Sequence, residues 1–203
     1  MRLLPLLCIL GAVAPAGAGP PPADLSAAAT DLARQALAHA IDPAAPEPAS
    51  TVDALRVAGP AFVTVVLDGA TRACQGTLHA STPSLADEIV SAAARAARGD
   101  GRHPSLSRRE LDRAQVIVSL PRDVRPLGGV AGDPAPIDPR RFGLAIETAN
   151  AAGILLPGEA KTFDWMLAET RRRAGASAAD PGRALTFQTT VLGEAPMPAL
   201  EHH

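Results

Sequence analysis

The dipeptide Asp68-Gly69, placed between two apolar runs, constrains the fold more than any other feature of this sequence. Residues 61–67 (AFVTVVL) are mostly β-branched or apolar, and residues 70–78 form the second run. Asp-Gly in this position is typical of a two-residue turn between antiparallel strands, because both turn residues must adopt positive φ. The sequence therefore predicts a β-hairpin over residues 61–78.

Helical periodicity and capping residues predict the remaining elements. Ser84, Ser107 and Thr162 stand where helix N-caps are expected, and Gly175 stands where the last helix should end. The predicted helices cover residues 25–41, 85–98 and 162–173, with a short helical turn after Ser107. Further strands are predicted at residues 115–120, 142–146, 153–156 and 184–192. About three helices and five or six short strands that include a hairpin indicate an α+β domain.

Two segments carry less regular patterns. Residues 121–139 are rich in proline and glycine and predict a long irregular connection, a type of loop that is usually functional or disordered. Three arginines end the last predicted helix at residues 171–173, where positive charge complements the helix dipole. We interpret these arginines as a solvated helix end rather than as an anion-binding patch.

The N-terminus has the features of an export signal. Arg2 precedes an apolar run over residues 3–13, and Ala16-Gly17-Ala18 has the small residues that signal peptidase requires. The run is too short to span a membrane, although a buried N-terminal helix is an alternative. We therefore expect a signal peptide over residues 1–18, a proline-rich junction over 19–24, one domain over 25–194 and a tail over 195–203 that looks like the remnant of a purification tag. The expected location is periplasmic or secreted.

Composition argues against several classes of function. The formal net charge is −2 and the chain contains no tyrosine, so neither extended phosphate binding nor a base-stacking platform is expected, and nucleic acid is not a predicted partner. The sequence has no nucleophile elbow, no Walker loop and no dinucleotide fingerprint. Its cysteines and histidines are too scattered for a zinc site. We therefore predict neither a cofactor nor a metal.

Arg72 and Cys74 form the sharpest chemical pattern. Residues two apart in a regular strand point to the same face, so the guanidinium should lie beside the thiol, lower its pKa and favour a nucleophilic thiolate. Gly76 would let a ligand or another backbone approach closely. The alternative is that Cys74 is a small buried residue and that Arg72 pairs with a structural carboxylate such as Asp100.

A catalytic thiol would also need a base. His79 and His103 are the candidates within reach along the chain, but His79 would require a bend in the strand after Cys74. Either histidine is more often an ordinary surface or loop residue.

Five patches follow one another along the chain: Phe62-Val63-Thr64 with Arg72-Ala73-Cys74-Gln75-Gly76; Asp100-Gly101-Arg102-His103-Pro104; Glu110-Leu111 with the strand Val116-Ile117-Val118-Ser119; Gly153-Ile154-Leu155-Leu156-Pro157; and Trp165 to Leu167 with Arg173-Ala174-Gly175. In this order they resemble the AMMECR domain family. The chain departs from the family pattern at four of these positions: Ala73 replaces a glycine, Gln75 an isoleucine, His103 a phenylalanine and Arg173 a lysine.

The resemblance implies an α+β fold with an antiparallel sheet, flanking helices and a smaller lobe. It implies little chemistry, because the biochemical role of the family is poorly defined. Relatives occur beside or fused to Memo-type and radical-SAM proteins, which makes such proteins the implied partners.

Together these features predict an exported binding protein with a cleft around the Arg-Ala-Cys-Gln-Gly motif. The candidate ligand-binding residues are Arg72, Cys74, Gly76, Asp100, Arg102 and His103. One alternative is a thiol-dependent enzyme in which Cys74 is the nucleophile. Another is a structural subunit of a Memo-type or radical-SAM partner.

Overall fold

The computed structural model describes residues 23–99, 103–130 and 133–193. Its centre is a curled six-stranded antiparallel sheet with the strand order β2-β1-β3-β8-β6-β7. The strands are β1 (Phe62–Leu67), β2 (Ala70–Gly76), β3 (Gln115–Pro126), β6 (Gly143–Glu147), β7 (Ala152–Leu155) and β8 (Arg183–Leu192), and β4 (Gly129–Val130) and β5 (Asp133–Pro134) form a separate two-stranded ladder. The helices are α1 (Ala23–Ile41), α2 (Leu85–Ala97), α3 (Arg108–Arg113) and α4 (Phe163–Ala174). The predicted α+β class is confirmed.

The predicted hairpin is present as β1 and β2. Asp68 and Gly69 form the turn with φ of 52° and 81°, as an Asp-Gly turn requires. Thr64 lies opposite Cys74 in the ladder. The register shifts between Val65 and Val66, which leaves Arg72 as the extra residue of a β-bulge.

Helix ends follow the capping residues of the sequence. The Ser84 side chain accepts a hydrogen bond from Asp87 N, and Ser107 and Glu110 form a complete capping box at α3. Thr162 caps α4, and Gly175 ends it in the left-handed conformation with φ of 63°. The N-terminal starts predicted for α2, α3 and α4 are therefore confirmed.

An alanine-rich core lies between α1, α2 and the β1–β2 side of the sheet. Small side chains let the two helices approach each other and the sheet closely. The fully buried residues of this core include Ala29, Ala33, Val63, Val65, Ala92, Ala93 and Ala96. A second apolar cluster joins α4 to β6 and β7 and forms the smaller lobe.

The prediction of an irregular connection over residues 121–139 is wrong for its first part. Strand β3 continues to Pro126 and pairs with β8 from Val118 to its end, with a bulge between Arg122 and Arg125. Pro121 is tolerated because the pairing between β1 and β3 ends at Ser119. Beyond that residue β3 has a neighbour on one side only, so the missing N–H costs no ladder bond.

The curl of the sheet brings its two ends together. Strands β2 and β7 are the outermost strands, yet residues of both line the same cleft. A third apolar cluster, which includes Phe62, Leu156 and Phe187, fills the concave side beneath that cleft. Within the described ranges no helix is long and apolar enough to cross a membrane. The signal peptide predicted over residues 1–18 lies outside those ranges.

Candidate functional site

The cleft between β2 and β7 has a volume of about 380 Å³. One wall carries part of the predicted motif, namely Phe62, Cys74, Gln75 and Gly76. The opposite wall comes from β7, the loop after it and the end of α4, namely Ala152, Ile154, Leu156, Glu159, Arg172 and Arg173. The cleft therefore lies between the β1–β2 hairpin and the smaller lobe.

Cys74 lines this cleft and is half-buried. The Thr64 hydroxyl of the neighbouring strand donates a hydrogen bond to Cys74 Sγ at 3.3 Å. The placement leaves both the binding role and the catalytic role of Cys74 open as predictions.

Gly76 is required by the backbone that lies beside it. A Cβ added to Gly76 would lie 2.3 Å from Ala61 O and 2.5 Å from Phe62 Cα. The sequence allowed two explanations for this glycine, the close approach of a ligand or of another backbone. The structure shows the close approach of a backbone.

Arg72 is not among the residues that line the cleft. Its Nε donates to Glu110 Oε1 at 2.7 Å, its Nη2 donates to Pro104 O at 3.1 Å, and its side chain is only 11% exposed. The regular two-residue alternation that placed Arg72 beside Cys74 does not hold, because Arg72 is the extra residue of the bulge. The guanidinium therefore fastens the hairpin to the start of α3. It does not face the cleft that holds the thiol.

The remaining predicted site residues lie elsewhere or cannot be placed. His103 is exposed and does not line the cleft, and Asp100 and Arg102 fall outside the described residues. His79 Nε2 lies 3.6 Å from Glu147 Oε1, also away from the cleft lining. In the part of the chain that the structure describes, no group of three or more His, Cys, Asp or Glu side chains could hold a metal.

The end of α4 supplies site residues that the sequence analysis assigned to solvent. Glu169 accepts hydrogen bonds from Arg172 Nε and from Arg173 Nε, each at 2.8 Å. These bonds, with that from Arg172 the stronger, outweigh burial and lower the pKa of Glu169 to about 2. The spacing of Glu169 to the two arginines, three and four residues along a helix, was the sequence signal for this arrangement.

Side chains of the smaller lobe also occupy the outer side of β7. Arg173 Nη1 donates to Ile154 O at 3.3 Å, and Leu156 N donates to Glu159 Oε2 at 2.8 Å. Glu159 is 2% exposed although it lines the cleft. Ile154 O of β7 and Leu156 N just after it are therefore already bonded, by a guanidinium and a carboxyl group, and are not open to another strand.

A sequence model of the AMMECR1 family matches residues 30–192. The chain belongs to the AMMECR1 family. That match includes every residue that lines the cleft. The AMMECR1 assignment confirms the resemblance that the five sequence patches indicated.

Relatives of this AMMECR1 chain include proteins without a stated function. A protein from Thermotoga maritima is 39% identical over 101 residues, which cover 48% of this chain and 54% of that protein. A protein from Aeropyrum pernix is 38% identical over 112 residues, which cover 53% of this chain and 48% of that protein. The chain thus spans about half the length of these relatives.

A solved structure shows the same fold. The crystal structure of the uncharacterized protein PH0010 from Pyrococcus horikoshii superposes with a TM-score of 0.67 and 24% sequence identity. The superposition covers 80% of this chain and 88% of that one. At this level of identity the likeness concerns the AMMECR1 fold alone.

Proposed function

We propose that this AMMECR1 chain is an exported binding protein that receives part of a partner in the cleft between β2 and β7. The observation that carries the proposal is the position of Cys74 and Gly76 on one wall, opposite Arg173 and Glu159 on the other. A concave site with an apolar floor and a few convergent polar groups is the usual form of a binding site. No histidine lines it within the described residues, and Glu159 is the carboxyl group among its lining residues.

The charges of the cleft indicate what kind of ligand it takes. The guanidinium groups of Arg172 and Arg173 and the carboxyl group of Glu159 line the cleft. A second carboxyl group, that of Glu169, does not line it but forms ion pairs with both arginines. Such a balanced set offers donors and acceptors without a net field, so it suits an uncharged polar ligand better than a polyanion. Phe62, Ile154 and Leu156 add apolar contact area.

Cys74 supplies the handle for testing this proposal. A photo-crosslinker attached to Cys74, in a chain whose Cys8 is replaced or removed with the leader, should capture a defined partner from a periplasmic extract. The matched control carries the crosslinker on a cysteine in place of Arg108, an exposed residue of α3, in the Cys74→Ala background. The proposal fails if both positions capture the same set of molecules, or if capture from Cys74 survives Ile154→Trp, which fills the cleft.

The second candidate function is a thiol-dependent enzyme with Cys74 as its nucleophile. It is favoured by the position of the thiol in the cleft and by the Thr64 hydroxyl that donates to the sulfur. It lacks the support of Arg72, whose guanidinium bonds Glu110. Turnover of any substrate that persists in Cys74→Ala would exclude this candidate.

Export and partner choice complete the proposal. The pattern of residues 1–18 supports cleavage after Ala18, and the mass of the chain recovered from the periplasm or medium tests it, since an intact Met1 would contradict export. The family association supports a Memo-type or radical-SAM protein as partner. Stoichiometric co-purification with such a protein is the expected result, and a chain that elutes alone in its presence argues against it.

A further inference from the structure

We infer that the occupant of the cleft is an uncharged extended peptide segment of a partner protein, which adds to β2 as a seventh strand of the sheet. The inference rests on the proposed binding function and specifies its ligand. Three lines of observation carry it: the direction of the free backbone groups of β2, the side chains bonded along the outer side of β7, and the balance of charge on the wall opposite β2.

The phase of β2 follows from one backbone hydrogen bond. Thr77 N donates to Ala61 O at 3.1 Å, so the pair Ala61–Thr77 is a hydrogen-bonded pair of the antiparallel ladder. Hydrogen-bonded and non-hydrogen-bonded pairs alternate along an antiparallel ladder. Val63–Gln75 is therefore a hydrogen-bonded pair and Phe62–Gly76 is a non-hydrogen-bonded pair. The N–H and C=O of Gly76 are therefore directed away from β1, on the side of the cleft. An extended peptide could bond both groups.

The opposite edge has a different character. Ile154 O, an outward group of β7, accepts from Arg173, and Leu156 N, just after the strand, donates to Glu159. An incoming strand would therefore form backbone hydrogen bonds with β2. On the side of β7 it would contact side chains and would form no second ladder. The edge of β2 is otherwise a liability that proteins usually cover.

The size and polarity of the cleft limit the segment. Cys74, Gln75 and Gly76 line the cleft, a stretch of roughly 10 Å at the rise of a β-strand. An apolar side chain of the segment would contact Phe62, Ile154 and Leu156. The balance between two guanidinium and two carboxyl groups favours uncharged residues beside it.

Amide hydrogen exchange distinguishes strand addition from other modes of binding. The probe is a library of blocked hexapeptides, acetyl-Thr-X-Thr-X-Thr-X-amide with X as Val, Ile, Leu or Phe, at about 1 mM, a concentration suited to weak binding. With its best member, exchange of the Gly76 N–H should slow about tenfold at high occupancy. Exchange of the Gln75 N–H, which already faces β1, should not change.

Alternate N-methylation of the peptide provides the matched control. One isomer carries methyl groups on the amides of odd residues and the other on those of even residues. Strand addition uses one edge of the peptide, so one isomer should bind like the parent and the other should lose binding at least several-fold. Equal binding by both isomers would overturn the inference. So would the absence of Gly76 protection with every member of the library.

Two variants separate this result from the proposed function. Ile154→Trp should abolish Gly76 protection, while Val57→Trp, at a position that is 63% exposed, should preserve it. Equal thermal unfolding midpoints confirm that both variants fold. A partner captured at Cys74 without protection of Gly76 would leave the binding function standing and remove strand addition. The absence of both would remove both.

Discussion

Arg72 Nε donates to Glu110 Oε1 at 2.7 Å and thereby joins the bulge of β2 to the first turn of α3. Glu110 also accepts from Ser107, and these hydrogen bonds, with those from Ser107 the larger, lower the pKa of Glu110 to about 2 from its usual 4.5. The pair therefore holds the segment that carries His103 and Pro104 against the hairpin. The contacts of Arg72 with Glu110 and Pro104 are those of a structural link.

This pair predicts a pH dependence of stability. Because the folded pKa is below the unfolded value, the contribution is complete above about pH 4.5 and is lost as the pH falls toward 2. Partial exposure reduces the effect through solvent screening, so Glu110→Gln should lower the free energy of unfolding by about 1–2 kcal/mol at pH 7. Urea titrations at pH 7 and pH 3 measure this difference, with Glu47→Gln on the exposed loop as the control. An equal loss at both pH values would contradict it.

We expect substitution of Glu88 to lower the free energy of unfolding by more, because this residue is fully buried. Burial alone would raise its pKa, but the hydrogen bonds from Thr77, Ser81 and Thr82 outweigh that effect and lower it. Replacing one acceptor oxygen by an amide NH₂ among these donors in Glu88→Gln should cost about 2 kcal/mol or more. The exposed neighbour Asp87→Asn should cost a few tenths of that, as urea unfolding at pH 7 can show.

We expect a side chain added at Gly153 to cause a steric clash at the junction of β7 and α4. A Cβ at this position would lie 2.0 Å from Thr170 O and 2.7 Å from Ala174 N. Gly153→Ala should therefore force α4 away from β7 and lower the free energy of unfolding by about 2–3 kcal/mol. Gly128→Ala, where a Cβ has no neighbour within 4 Å, is the matched control. A similar unfolding midpoint for both variants would show that the helix yields at little cost.

We expect the Cys74 thiol to be accessible to reagents in the folded protein. Because the thiol lines an open cleft, iodoacetamide should label it without unfolding, in a chain without Cys8. An apparent pKa clearly below about 8.5, the value of an unperturbed cysteine, would promote the enzyme over the binding protein. Ile154→Trp should slow labelling several-fold and Val57→Trp should not. Labelling seen only in urea would instead make Cys74 a core residue.

Local signals predicted the elements well because each depends on neighbours in sequence. Asp68-Gly69 fixed the hairpin turn, and Ser84, Ser107 and Thr162 fixed three helix starts through hydrogen bonds of three-residue span. Pro121 misled the analysis, because whether a proline ends a strand depends on which side of that strand is open. That information belongs to the sheet order and not to the segment.

The site was predicted in part for the same reason. Cys74 and Gly76 were placed at a cleft because they belong to the family motif, whereas the β-bulge at Arg72 depends on pairing with Val65 and Val66. Arg173 was assigned to solvent because its charge suits the end of any helix. Only the packing of α4 on β7 shows that it faces the cleft.

The cleft has walls that are distant in the sequence, which has a consequence for the order of events during synthesis. One wall ends at Gly76 and the other is completed only by Ala174 at the end of α4. At ribosomal rates of roughly 5–20 residues per second, synthesis of the first wall precedes completion of the second by roughly 5–20 seconds. The opposite wall is absent from the hairpin throughout that interval, so β2 is the strand at which we expect a nascent chain to be most vulnerable to mispairing.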